Sequence, residues 1–187
     1  MGTVGQALHL CRQFRAVFVL AALALAACSS DGAVGDGSIG LCPQTAILDD
    51  PSQILRFKPD TGKGPGDLLF HTQIKTFSGE CEFDEKEIAL DLRIAMEALR
   101  GPANAKGEAE FTYFVAVLGL DKKILVRQKF PLIVKFDGNE TNMNFTEAVT
   151  VYIPRRKNDS TADYLVYLGY EMTPEELAYN RRRLGGR

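Results

Sequence analysis

Ile88-Ala89-Leu90-Asp91-Leu92-Arg93-Ile94-Ala95-Met96-Glu97 is the stretch on which the fold turns. Its large apolar residues fall at every second position (Ile88, Leu90, Leu92, Ile94, Met96), with Ala89, Asp91, Arg93, Ala95 and Glu97 between them. A period of two is the alternation of a strand, not the 3.6-residue period of a helix. The segment therefore predicts a strand with one face in a core and the other toward water.

Working outward, Phe111 to Leu118 is apolar in both parities, Phe111, Tyr113, Val115 and Val117 against Phe114, Ala116 and Leu118. That suits a central strand covered on each side. Asp121-Lys122-Lys123 predicts a turn, and Ile124, Val126, Phe130, Leu132, Val134 and Phe136 then share one parity against Arg127, Lys129 and Lys135. Pro131 interrupts this long strand, and a proline, lacking an amide donor, belongs on an edge or at a bulge. Asp137-Gly138-Asn139-Glu140 predicts a turn, Met143 to Ile153 a strand, Arg155 to Asp163 a polar loop, and Tyr164 to Tyr170 the last strand. Upstream, Ile54 to Phe57 and Leu68 to Phe77 read as strands, followed by a separate one carrying Cys81. Seven or eight strands with no helical stripe among them predict an all-β chain, an antiparallel β-sandwich of immunoglobulin-like outline with a short C-terminal α-helix. The chain has no tryptophan, so the Cys–Trp–Cys pattern of true immunoglobulin domains is absent and the expectation is of architecture alone.

The helix is predicted over 173–184. Thr173 stands at the N-cap, Pro174 at the first helical position, and Glu176 completes a capping box. Met172 and Leu177 are placed as a hydrophobic staple, and Arg181, Arg182 and Arg183 occupy the last turn, where cations favour the negative end of the helix dipole. So short a helix is marginal alone, so Leu177, Tyr179 or Leu184 must pack on the sandwich or on another protein.

The first forty residues differ from the rest. After Arg12 and Arg15 comes an uncharged apolar run, Ala16 to Ala27, shorter than the roughly 20 residues that span a bilayer as a helix. A signal-peptide core fits it better than an anchor. The run ends Leu25-Ala26-Ala27-Cys28, which resembles the lipobox of bacterial lipoproteins. The resemblance implies cleavage after Ala27, acylation of Cys28, and three fatty chains, more than the two signals that stable anchoring needs. The alternatives are an ordinary secretory signal cut near Ala27 or an N-terminal helix, with Cys28 a bystander thiol in either case. N-myristoylation of Gly2 is excluded because position 6 is Gln6. Ser29, rather than an aspartate, follows the cysteine, which by the sorting rule of lipoproteins implies the outer membrane, with the domain facing the periplasm. Residues 28–41, rich in Ser, Gly and Asp, predict a flexible lipid-anchored tether, and 42–187 the folded domain.

Four cysteines divide cleanly. Cys11 leaves with the signal 1–27, Cys28 is acylated, and Cys42 and Cys81 remain as a pair in an exported chain, for which a disulfide is the natural outcome. Two buried thiols are the alternative. The signal holds two of the 22 basic residues and none of the 24 acids, so its removal leaves the chain mildly acidic. Nucleic-acid binding, which draws its affinity from phosphate neutralisation, is set aside on that balance.

Few constellations suggest chemistry. His71 is the sole histidine after cleavage, with no G-x-S-x-G elbow to accompany it, and a lone histidine in an apolar strand is usually a packing residue. Asp84, Glu85 and Glu87 lack calcium-loop spacing and read as a solvated turn. Gly62-Lys63-Gly64-Pro65-Gly66 lacks the phosphate-loop order, and Pro65 removes a donor. Two basic clusters, Arg155-Arg156-Lys157 and Arg181 to Arg183 with Arg187, are candidates for anionic lipid heads or lipopolysaccharide phosphates, against the plainer reading of a solvated loop and a helix end. Asn139 and Asn144 begin glycosylation-like triplets, a coincidence in a bacterial lipoprotein.

Beyond the lipobox, Arg100-Gly101-Pro102-Ala103, Tyr113 to Val117 and Gly169 to Arg181 resemble an uncharacterised family of proteobacterial envelope lipoproteins. That resemblance implies a localisation and no chemistry. The expectation is a non-enzymatic, membrane-anchored module that binds another envelope protein through a sheet edge or through Leu177, Tyr179 and Arg181 to Arg183, with no metal and no cofactor other than the lipid on Cys28. A binder or sensor of small or lipidic anionic ligands is the alternative, and an unidentified periplasmic hydrolase the next.

Overall fold

The computed structural model describes residues 42–156 and 159–184. The expected signal 1–27 with Leu25, Ala26 and Ala27, the acyl acceptor Cys28, the tether 28–41, Lys157 and Arg187 lie outside the described residues. None of the described helices is long and apolar enough to cross a membrane.

Among the described residues, eight strands run in the order β1 (Gln44–Ile47), β2 (Gln53–Phe57), β3 (Leu68–Phe83), β4 (Glu87–Arg100), β5 (Glu108–Leu118), β6 (Ile124–Lys135), β7 (Asn142–Pro154) and β8 (Leu165–Tyr170), followed by the helix α1 (Pro174–Leu184). They form two four-stranded sheets, β1-β8-β5-β6 and β2-β3-β4-β7, the two layers of the expected sandwich. Every pairing is antiparallel except β1 with β8, which run parallel. The chain crosses between the layers after β1, β4, β6 and β7, so that β7 returns beside β4 and β8 beside β5.

β4 behaves as its alternation predicts. Ile88, Leu90, Leu92, Ile94, Met96 and Ala98 are buried, facing Phe111, Tyr113, Val115 and Val117 of β5 and Val166, Leu168 and Tyr170 of β8 in one core. Thr72 is a fully buried polar residue on this inner surface. Its hydroxyl bonds the Glu97 carbonyl at 3.0 Å and the Tyr170 hydroxyl at 2.9 Å, so the two sheets share a satisfied buried polar pair. Burial pushes the Tyr170 phenol well above its ordinary pKa.

The sequence suggests two strands where the structure has one. β3 is 16 residues long, and its register against β4 shifts between Ile74 and Thr76, leaving Lys75 as an extra residue. Before this bulge the core-facing residues are Phe70, Thr72 and Ile74; after it they are Phe77, Cys81 and Phe83. One inserted residue exchanges the parity, which breaks the period of two in the sequence while both halves keep facing the core.

β5 is covered on both sides, as its double-apolar pattern implies. Its outer residues Phe114 and Ala116 are buried, and the Arg127 guanidinium lies 4.5 Å from the Phe114 ring centre. Arg127 and Lys129 both pair with Glu171. Beside Phe114, Gly169 leaves room for the turn Asp50–Ser52; a Cβ there would stand 2.9 Å from Pro51 Cγ. Pro131 sits on β6, an edge strand, where its missing donor costs no ladder bond. β7 is the matching edge of the other sheet, and Glu147 stands on its inward parity between Phe145 and Val149, half-buried.

α1 begins as its cap predicts. Thr173 Oγ1 accepts from the Glu176 amide at 3.1 Å while Glu176 Oε2 accepts from the Thr173 amide at 2.8 Å. The helix then covers β2. Asn180, 1% exposed, donates through Nδ2 to the carbonyls of Asp50 at 2.9 Å and Gln53 at 2.7 Å. Around it, Tyr179 meets Phe57 edge-on at 5.6 Å, Arg181 pairs with Asp50 at 2.7 Å, and Glu176 with Arg56 at 3.0 Å.

The sandwich has two distinct ends. Gln44 is level with Leu165, and Leu165 with Leu118, so the domain's first residues lie at the end where β5 turns into β6. Cys42 and Cys81 are bonded there, Cα atoms 5.5 Å apart, tying the start of the domain to β3.

Candidate binding groove

At the opposite end, β4 passes to β5 through residues 101–107, and this short connection is organised by polar bonds. The Gly101 amide donates to Leu69 O at 2.8 Å and the Ala103 amide to Leu68 O at 3.0 Å, sewing the loop to the start of β3. Asn104 is buried. Its Nδ2 donates to Glu108 O at 2.8 Å, and its Oδ1 accepts from the Gly107 amide at 3.0 Å. Gly107 has φ +68°, a left-handed conformation that costs glycine little. Arg100 wraps the outside, donating through Nε and Nη2 to Asn104 O and through Nη1 to Gly138 O. With side-chain and carbonyl groups thus paired, the loop is rigid by construction rather than by apolar packing.

This loop forms one wall of an open groove of about 470 Å³. Leu69, Phe70, Pro59, Ala103 and Ala105 supply apolar surface, and Arg56, Lys58 and Lys106 bring positive charge against Glu108 and Glu110. Arg56 is held in place, 5.3 Å over the Phe70 ring, bonded to Glu110 O at 2.8 Å and paired with Glu176 of α1. Among the described residues Lys58 and Lys106 have no carboxylate partner, so their charge is available to whatever enters. The helix therefore serves the groove indirectly, by positioning its arginine.

Nothing in the sequence marks this groove. A polar residue in a Gly- and Ala-containing loop reads as solvated, and nothing local marks Asn104 as buried.

The residues singled out from the sequence are scattered over the molecule. Tyr179 and Arg181 are spent within the chain, Leu177 is half-buried, and Arg182 and Arg183 are exposed on α1. Lys63 of the glycine-rich loop stands 5.2 Å from the Tyr179 ring, and the Asp67 carboxylate accepts from the Gly64 amide. Asp84 spends its carboxylate on the amides of Lys86 and Glu87, which hold its pKa below the usual carboxylate range and shape the β3–β4 turn. In the basic loop, Arg155 donates to the carbonyls of Asp84 and Asp159, while Arg156 is exposed. Asp159 accepts from Tyr164 Oη at 2.6 Å and from the Arg156 amide; these bonds keep its pKa low, while burial, with the bond to Asp159, pushes Tyr164 up to about 12. Among the described residues, no group of three or more His, Cys, Asp or Glu side chains is arranged to hold a metal ion.

His71 lies on the outward parity of β3, with Nε2 donating to the Gln53 side-chain oxygen at 2.9 Å. Burial lowers its pKa from 6.5, helped by the charges of Arg183 and Lys75 and opposed by Glu97. A ring whose folded pKa is depressed resists protonation that the unfolded ring accepts. Its contribution to stability is thus complete above about pH 6.5 and is lost as pH falls through the folded value. Thermal melts between about pH 7 and about pH 5 should show a falling Tm in the wild type and a smaller fall in His71→Gln, which keeps a donor for Gln53. Equal slopes would remove His71 from the acid response.

No family model, curated protein or solved structure matches this chain.

Proposed function

We propose that the chain is an exported bacterial lipoprotein whose domain works as a non-enzymatic binding module, anchored through a lipid on Cys28 to the periplasmic face of the outer membrane. The observation that carries this reading is the Cys42–Cys81 disulfide at the start of the domain. Disulfides persist in oxidising compartments and are rare in the bacterial cytosol, so the bond supports export, and Leu25-Ala26-Ala27-Cys28 supplies the route.

Binding is assigned to the groove rather than to α1 or a sheet edge. Of the helix, Glu176, Tyr179, Asn180 and Arg181 are already engaged by β2 and the Asp50–Ser52 turn. The two long edges are guarded, β6 by Pro131 and β7 by the inward charge of Glu147, both devices that discourage strand addition. The groove is open, walled on one side by a hydrogen-bonded loop, and lined by apolar side chains together with Arg56, Lys58 and Lys106 beside two carboxylates, a form that suits a segment of another envelope protein. Lys58 and Lys106 also favour a second reading, capture of a small or lipidic anion.

In intact cells, a photocrosslinker at Ala105 is expected to give one discrete protein adduct, lost in Lys58→Glu/Lys106→Glu while palmitate labelling is unchanged. An anionic lipid retained on the purified protein in native mass spectrometry, and lost in the same variant, selects the second reading. Absence of palmitate label, or a Cys28→Ser protein still fully in the membrane fraction, overturns the anchored reading altogether.

A further inference from the structure

The large apolar side chains left in water are not spread evenly. Among the described residues Leu120 is 76% exposed, Ile124 56%, Ile133 55%, Tyr152 53% and Leu125 44%. Leu120, Ile124 and Leu125 belong to the β5–β6 turn and its exit, and Tyr152 lies two residues before the end of β7. Four of the five thus lie at one end of the sandwich, the end at which the chain enters at Cys42. Leu120 and Leu125 also line a depression of about 400 Å³ with Arg155 and Arg156.

We infer that this end is a lipid-contacting surface, with Leu120 at its tip resting in the headgroup layer of the membrane that holds the anchor. The inference rests on acylation of Cys28, and the length of chain outside the domain selects the occupant. Fourteen residues, 28–41, separate the acyl acceptor from the domain, and a Gly/Ser-rich chain of that length would have an r.m.s. reach of about 20 Å. The sandwich is longer than that, since a 16-residue strand such as β3 reaches about 50 Å. Held by a chain whose typical reach is less than half the length of the body, the end at Cys42 stays nearer the bilayer on average than the groove end does. The composition fits a lipid boundary: leucine and isoleucine gain from entering the acyl edge, tyrosine favours the interface, and Lys122 and Arg156 reach headgroup phosphates. The acidic β3–β4 turn, Asp84, Glu85 and Glu87, occupies the same end. Contact is therefore led by apolar insertion rather than by charge, with the β5–β6 turn nearer the lipid than the acidic turn. The groove then faces outward, where another protein has access to it.

The mature chain offers a clean test, because acylation and the disulfide leave no free thiol. A nitrobenzoxadiazole probe is attached to Leu120→Cys or, for comparison, to Ala105→Cys, in the full acylated protein held sparsely on phosphatidylethanolamine–phosphatidylglycerol vesicles. The probe at 120 is expected to be quenched by doxyl-labelled lipid and shielded from aqueous iodide several-fold more than the probe at 105. Replacing phosphatidylglycerol by phosphatidylcholine should change this little. In a Leu125→Asp background the difference should shrink while the protein still pellets with the vesicles. Equal iodide access at both positions in a protein whose mass includes the lipid overturns the inference and leaves the anchor intact. Shielding without lipid quenching that grows with protein density assigns the surface to a second copy and overturns it too. A protein that lacks the lipid and does not pellet overturns the anchored reading itself.

Discussion

Alanine at position 101 is expected to lower the stability of the domain by about 3 to 5 kcal/mol, from overpacking at about 1–3 and two hydrogen bonds at about 1 each. The added Cβ would lie 2.5 Å from the Leu68 carbonyl carbon, closer still to its oxygen, and 2.9 Å from Leu68 Cγ. Two of these atoms are backbone, which no change of rotamer moves. The loop must lift instead, breaking Gly101 N to Leu69 O and Ala103 N to Leu68 O and disturbing the wall of the groove. In a thermal melt this is a drop of about 10 °C for a chain of this size. Gly66→Ala is the matched control, because a Cβ there meets nothing within 4 Å, and its effect should stay within about 0.5 kcal/mol. A Gly101→Ala melt indistinguishable from that control would show that the loop yields freely and is not the rigid wall described.

Replacing Cys42 and Cys81 together by serine is expected to cost about 2 to 4 kcal/mol, since a closed loop of about 40 residues restricts the unfolded chain by up to about 4 kcal/mol in the chain-entropy account. The loss should appear as a lower denaturation midpoint with a somewhat steeper slope, because the unfolded chain without the cross-link exposes more surface. A reductant should bring the wild type to the same midpoint and leave the variant unmoved. Locally, β1 should suffer first. It has four residues, pairs only with β8, and is fastened by the bond two residues before it, so hydrogen exchange at Gln44–Ile47 should quicken more than in β4. Unchanged protection in β1 would mean that its pairing with β8 suffices alone.

How much was legible follows from which signals are local. The strict alternation of β4, the double-apolar run of β5, Pro131 on an edge and the capping box at Thr173 each reflect a rule that acts within a few residues, and each has its structural counterpart. The extent of β3 was hidden because one extra residue at Lys75 reverses the parity, and a reversed period looks like an ended strand. β1 escaped notice because four residues give too little pattern, and its parallel pairing with β8 joins segments far apart in the chain. The groove was the least legible. It is made where β2, β3 and β5 converge, and its organiser, Asn104, is buried by contacts to backbone groups that no local pattern announces.

The bond between Cys42 and Cys81 also sets how the molecule bears force. A pull on the chain upstream of residue 42 would otherwise peel β1 away from β8, a strand of four residues in the outer position of its sheet. With the sulfurs joined, the load bypasses β1 and enters β3, which is laced to β4 along thirteen registered positions from Phe70 to Phe83. Tension thus meets one of the two longest ladders among the described residues instead of the shortest. Reduction would convert a firm mechanical mooring into one that unravels from its first strand.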